Sequence, residues 1–323
     1  MRPSCASVVQ GGGGPCERRR AKHRSAVQNI LPCEHRRSAV QTIALPCEHR
    51  RSAVHRGTSR PAAAAMAPED RAAFLHVAAG LALCVAAVAS GALDGAAVEV
   101  GYDRYAEPPV AWLPGPLAMP CNALVNLGYA AAGWRWLPRA GAGPRRYLQA
   151  VFAAMALAYC PVQWVRVWTQ RPRAAALDQW VTLPFFAWAT AWCDAAAAGC
   201  WRPRRALLLV AASLASYGLA PLHRRGFEAA LAGHAAATAA AALRAQRRRG
   251  DAATARAAAG AAAAFAGFAG LKAADLALGR WPLFRRFSGH FWSKVCDVLQ
   301  IHAAFLFLTG LRPPPPAAGP PRQ

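Results

Sequence analysis

The stretch GHFWSKVCDVLQIHAAF carries an imidazole, an ammonium and a carboxylate at His290, Lys294 and Asp297, spaced four and three residues apart. Residues three or four apart share a helical face, so the three stack along one side of a helix. An ammonium and a carboxylate so placed can pair, which lowers the cost of burying either. His302 lies five residues beyond Asp297, about 140° round a helix of 3.6 residues per turn, and is expected to face elsewhere. The triplet therefore reads either as an internal ion pair that orients helix packing or as a polar site for a ligand.

Three further stretches set polar groups among apolar ones. Asn122 and Asn126, four apart in NALVNLGYAAAG, suit hydrogen-bond glue between helices. Asp178 in LDQWVTLPFFAW can cap a helix start, its carboxylate accepting from free backbone N–H groups, or point inward. Gln163 follows Pro161 in YCPVQW, where the proline is expected to kink a helix. His76 and His234 are single histidines in apolar surroundings and read as packed or interfacial.

The elements that must hold these groups are apolar blocks about 20 residues long. That is the length needed to cross a roughly 30 Å hydrocarbon core at 1.5 Å per residue. The blocks are 73–93, 117–137, 148–169, 179–198, 206–222, 227–243, 255–276 and 291–311. The chain has 323 residues, 55% hydrophobic and 16% charged. These features predict an all-α fold, a polytopic transmembrane helix bundle of about eight spans over residues 66–311. Trp112, Trp134, Trp136, Trp168, Trp180, Trp201 and Trp281 fall at or near block ends, as an interfacial aromatic belt would place them. The alternative, an alanine-rich soluble bundle, leaves that placement unexplained. The sixth and seventh blocks are mostly Ala and Gly, which allows close helix approach and makes them candidates for tight packing.

A formal net charge of +23 invites a nucleic-acid partner. The distribution argues against it: residues 1–65 hold 12 of the 38 Lys and Arg, and the rest are spread over the connections between blocks. Five of the ten cysteines (Cys84, Cys121, Cys160, Cys193 and Cys296) lie inside apolar blocks as small hydrophobes. No disulfide framework or C-x-x-C motif is present.

Residues 1–65 contain RSAVQNILPCEHR, then RSAVQTIALPCEHR, then a third start at RSAVH, with Cys33-Glu34-His35 and Cys47-Glu48-His49 14 residues apart. Nothing nearby could bury a metal there, so the segment reads as a disordered basic repeat tail or translated upstream sequence. Met66 directly precedes the first block and looks like a natural start. Residues 312–323 read as a disordered Pro-rich tail. Loop arginines are nearly balanced between the two faces, but the long first loop carries Asp94, Glu99, Asp103 and Glu107 against Arg104 alone. Both termini are therefore expected in the cytosol, in an endomembrane or Golgi membrane. With alternating spans, Asn122, Asn126, Gln163, Asp178 and His290 fall toward the non-cytosolic side, and a shared interior site follows.

At these residues the chain resembles the transmembrane protein 187 family. The resemblance runs over residues 66–311, on VGYDRYAEPPVAWLPGPLAMPCNALVNLGY, RYLQAVFAAMALAYCPVQWVRVWTQ, LDQWVTLPFFAW, SLASYGLA and GHFWSKVCDVLQIHAAFLFL. It implies a multi-pass membrane protein and no activity. The order of the two asparagines, LDQWVTLP and GHFW is also similar to the alkaline ceramidase superfamily of seven-helix membrane hydrolases and receptors. That likeness implies one added span before a seven-helix core. It also implies a zinc site holding an aspartate and three histidines, of which Asp178 and His290 match one ligand each. Lys294 stands where the second paired histidine would be, Gln179 where the family has Glu, and the segment 159–164 offers Gln163 but no Ser or His.

Catalytic zinc takes three protein ligands and an open position, and an ammonium would repel the dication. The resulting expectation is a non-enzymatic membrane protein with no cofactor. Its degenerate site holds Asn122, Asn126, Gln163, Asp178, His290, Lys294 and Asp297, and the expected partners are the bilayer and a lipid ligand. Two other readings stand beside it. One is a zinc-dependent lipid hydrolase using Asp178, His290 and a further ligand such as His302 or His234. The other is a small-solute transporter, although the body shows none of the internal repeats common in transporters.

Overall fold

The computed structural model describes residues 66–313, all within one compact unit. The two tails expected from the sequence lie almost wholly outside them. Helices and the loops that join them make up the described residues, with no strand among them. In chain order the helices are α1 (Pro68–Ala89), α2 (Pro120–Leu124), α3 (Leu127–Trp136), α4 (Pro144–Thr169), α5 (Pro172–Ala198) and α6 (Pro203–Ser216). They continue as α7 (Leu219–Leu222), α8 (Gly226–Arg249), α9 (Ala252–Ala273), α10 (Asp275–Leu278), α11 (Pro282–Arg286) and α12 (Gly289–Gly310). Eight helical segments coincide with the eight apolar blocks, α2–α3 and α6–α7 each making one. Four of them, α1, α4, α6–α7 and α12, are long and apolar enough by composition to cross a membrane. The break between α2 and α3 leaves both too short, and alanine and glycine filler with polar and charged residues keeps α5, α8 and α9 below that mark.

Local chemistry sets the helix starts. Proline opens α1, α2, α4, α5 and α6, where its missing N–H is not needed and its fixed φ suits the first turn. Asp251 opens α9 with a capping box, its carboxylate accepting from the Ala253 and Thr254 N–H groups while Thr254 Oγ1 accepts from the Asp251 N–H. Pro161 and Pro184 lie inside α4 and α5, and both helices run on through them.

The second block is interrupted between α2 and α3, and Asn126 is the cause. Its Nδ2 donates to the Asn122 carbonyl at 2.8 Å, the oxygen that its own backbone N–H would take in an unbroken helix. Such side-chain competition with the helical ladder is characteristic of Asn.

α4 and α5 form the most buried pair, packed around Tyr129, Phe152, Tyr159, Trp188, Trp192 and Phe305. α8 packs on α5, and α9 lies along α12, where Gly267 and Gly310 bring Cys296 and Thr254 so close that a Cβ would meet them within 3 Å. Trp112, Trp134, Trp168 and Trp281 are exposed. Trp180 departs from the belt expectation: it is buried, stacked on Tyr217, and donates its Nε1–H to the Leu214 carbonyl at 2.9 Å. A nearby acceptor inside the bundle satisfies its one polar atom, so it need not reach the interface.

Candidate functional site

Asp178 is in the second turn of α5, with Arg171 at the cap position, so its carboxylate does not cap the helix. It points into the bundle and is buried. Arg166, from the last turn of α4, forms an ion pair with Asp178 Oδ2. Gln163 Nε2 donates to Oδ1, and Tyr159 OH donates to the same oxygen at 2.9 Å while lying 3.0 Å from the Thr182 hydroxyl. One carboxylate therefore gathers a guanidinium, an amide and a phenol from the next turns of α4. Three donors round a buried anion satisfy the requirement that such a charge be paired and hydrogen-bonded.

Lys294 joins this cluster from α12. Its Nζ donates to Gln163 Oε1 at 2.8 Å and lies 5.7 Å from the ring centroids of both Tyr129 and Tyr159. Gln163 thus bridges the two charged groups, donating to Asp178 and accepting from Lys294. Asp297, one turn further along α12, accepts from Tyr129 OH at 2.5 Å. The Tyr129 and Tyr159 rings meet edge to face at 4.8 Å and tie the two halves together. The expected Lys294–Asp297 ion pair is absent from those formed among the described residues. Each group finds a partner on another helix, Gln163 on α4 and Tyr129 on α3.

The other expected site residues stand outside this network. Asn126 bonds only back to the Asn122 carbonyl, and both Asn122 side-chain polar atoms and Asn126 Oδ1 are buried without a hydrogen-bond partner. His290 is buried at the start of α12, its ring edge-on to Tyr105 at 4.8 Å and its backbone N–H donating to Asp275 Oδ1.

The acidic first loop folds over this end of the bundle. Ala106 N–H donates to Asp275 Oδ2 at 3.0 Å. Glu107 spends one carboxylate oxygen on the Cys121 N–H and the other on the Asn122 N–H, both at 2.8 Å, so it closes the start of α2 from outside the helix. Burial pushes the Glu107 carboxyl above its usual range, outweighing the two N–H donors that favour its charge. Further out, the Arg173 guanidinium holds the exposed Asp94 carboxyl below its usual range.

Beside the network lies a cavity of about 430 Å³ between α4, α5, α8, α9 and α12. Its walls are mainly Ala, Phe and Leu side chains, among them Phe186, Phe265 and Phe307. Its polar lining residues are Tyr159, Thr182, Thr238, Asp297 and Gln300, of which Tyr159 and Asp297 also belong to the network. The size falls in the range of roughly 300–1,000 Å³ found for ligand pockets.

The donor set does not suit a metal. Among the described residues no three His, Cys, Asp or Glu side chains come together in a way that could hold an ion. Asp178 is committed to Arg166 and its neighbours, His302 accepts from Trp136 Nε1 at 2.9 Å, and His234 Nδ1 lies 2.7 Å from a carbonyl of its own helix. Several contributors escape a reading of the sequence. Arg166 looks like a loop arginine near a block end, Tyr129 and Tyr159 look like ordinary core aromatics, and Glu107 looks like one of four loop acids. The faint signal for Arg166 is its place three residues after Gln163, on the same helical face.

These features define an integral, multi-pass α-helical membrane protein with an ion-paired interior. The chain belongs to the TMEM187 protein family, which matches residues 73–309. It is 54% identical over 247 residues to transmembrane protein 187 of Homo sapiens, covering 76% of this chain and 94% of that protein. The identity to transmembrane protein 187 of Bos taurus is 50% over 254 residues, covering 76% of this chain and 99% of that protein. No solved structure matches the chain. The names of these relatives carry no activity, and nothing in them supports the alkaline ceramidase likeness.

Proposed function

We propose that the protein is a non-enzymatic membrane protein that holds a lipid chain in the cavity between α4, α5, α8, α9 and α12, with both termini in the cytosol. The observation that carries this reading is the pairing of a mainly apolar cavity of about 430 Å³ with the polar network that adjoins it through Tyr159 and Asp297. An alkyl chain matches such walls by dispersion packing, and the polar atoms that adjoin them would orient its head. The cluster itself speaks for a binding role rather than hydrolysis. Asp178, the carboxylate a hydrolytic site would use for metal, is neutralised by Arg166, and Lys294 adds a second cation nearby.

The test is lipid extraction and metal analysis on full-length protein purified in mild detergent. A retained lipid with an alkyl chain, lost when Ala262→Phe fills the cavity, is the expected outcome, with no stoichiometric zinc. Stoichiometric zinc that disappears in Asp178→Asn and His290→Ala would instead establish the hydrolase reading.

A further inference from the structure

Lys272 stands in the last turn of α9, and its Nζ lies 5.7 Å from the ring centroid of Phe268, one turn earlier on the same helix. Phe268 lines the 430 Å³ cavity. Among the described residues Lys272 has neither an ion pair nor a hydrogen bond, yet it lies within electrostatic reach of Arg166, Lys294, Asp178 and Asp297. The interior cluster thus contains three cations, Arg166, Lys272 and Lys294, against two carboxylates, Asp178 and Asp297. Asp178 is taken by Arg166, and Asp297 is bonded to Tyr129 one turn from Lys294. The nearest other acid along the chain, Asp275, spends both oxygens on the Ala106 and His290 N–H groups. Lys272 is therefore the one cation of the three with no hydrogen-bonded or ion-paired partner among the described residues, and it stands one helical turn from the cavity-lining Phe268.

We propose that the cavity takes a single-chain amphiphile with an anionic head, a carboxylate or a phosphate monoester, whose charge is neutralised by Lys272. This rests on the lipid-binding reading above and adds the chemistry of the head. An uncompensated charge at membrane depth costs several kcal/mol, whereas an anion there forms a charge-assisted hydrogen bond in a low-dielectric setting. A cationic head would instead add a fourth positive charge to the cluster. The chain would lie along Phe268, Phe265 and Phe307, which line the cavity.

The experiment uses full-length protein in nanodiscs of neutral lipid and three photoreactive probes of one chain length, bearing a carboxylate, an alcohol or a primary amine. The carboxylate probe is expected to label cavity-lining residues of α8, α9 and α12 about tenfold more than the alcohol, the ratio for one net charge-assisted bond. In Lys272→Met that preference should vanish while alcohol labelling persists. Competition by an alkyl phosphate or by an unlabelled fatty acid then tells which anionic head is preferred, and displacement by either supports the site. Equal or stronger labelling by the alcohol or amine in the wild type would overturn the head assignment and leave lipid binding standing. Absence of cavity labelling by all three would overturn both. The wild-type comparison of heads decides even where Lys272→Met is poorly folded.

Discussion

Lys294 donates to Gln163 Oε1 at 2.8 Å, although Asp297 lies three residues along its own helix. The intramembrane ammonium is thereby linked, through one amide, to the carboxylate of Asp178 on a third helix. Charge is shared across α4, α5 and α12 rather than confined to α12, which makes the polar network a clasp between helices. The energetic weight falls on the closest pair of opposite charges, Arg166 and Asp178.

Asp178→Asn leaves Arg166 buried and uncompensated, as does Arg166→Met for Asp178. Each single replacement should destabilise by about 3–5 kcal/mol, because breaking a buried pair strands a charge. The double replacement should be less destabilised than either single, which requires a coupling of at least about 3 kcal/mol, the upper end of the range for contacting pairs. Thermal unfolding in detergent micelles reads this cycle. A parallel cycle on Lys294→Met and Asp297→Asn should show weaker coupling, since those two groups have different partners. Stronger coupling there than at Arg166–Asp178 would contradict the network.

Gly133 lets α3 and α4 touch backbone to backbone. A Cβ there would sit 2.7 Å from the Ala153 carbonyl oxygen and 2.9 Å from the Leu157 nitrogen, neither of which can swing aside. Gly133→Ala should therefore cost about 1–3 kcal/mol through a forced helix shift. Gly270 in α9 has nothing within 4 Å of a Cβ, so Gly270→Ala should be neutral or stabilising by up to about 1 kcal/mol. Equal melting temperatures for the two variants would reject close packing at α3–α4.

The lid formed by the first loop has a pH dependence. Glu107 binds its proton more tightly folded than unfolded, because burial raises its pKa above the ordinary 4.5. Its contribution to stability is therefore full below that ordinary value and is lost as pH rises through the raised folded value. Glu107→Gln should flatten this part of the stability profile, the fall in stability as pH rises above 4.5, measured by thermal melts of both proteins. Because Gln offers a single oxygen for the two N–H groups of Cys121 and Asn122, it should also cost about 1–3 kcal/mol above the transition, where the ionised Glu107 accepts on both oxygens.

Crossing an odd number of helical segments separates the first loop from the basic end of α8. Single cysteines at Asp103→Cys and Arg248→Cys, in a background lacking the exposed Cys200, should therefore be labelled by impermeant reagents from opposite sides of the bilayer. Labelling of both from one side would remove a span, and the Ala-rich α8 or α9 would be the one at fault.

The amino-acid sequence determined what is local. Apolar blocks near the length of a bilayer, punctuated by prolines and arginines, specify helices one at a time, and each helix formed where its own residues placed it. Asn126 is a partial exception, since the same short-range bonding that makes Asn a useful polar contact also broke the second block into α2 and α3. Local spacing likewise grouped His290, Lys294 and Asp297 on one face, yet it could not say what that face meets. Gln163 is 131 residues from Lys294, and Tyr129 is 168 from Asp297. Only the packing of α3, α4 and α12 brought those groups into reach, and in a low-dielectric interior a well-placed distant partner outcompetes a poorly aimed neighbour. The same packing drew Arg166 from a helix end into the core, turned Glu107 into a cap for α2 and left Lys272 beside the cavity. Each of those roles depends on three-dimensional proximity, which no spacing along a single helix encodes.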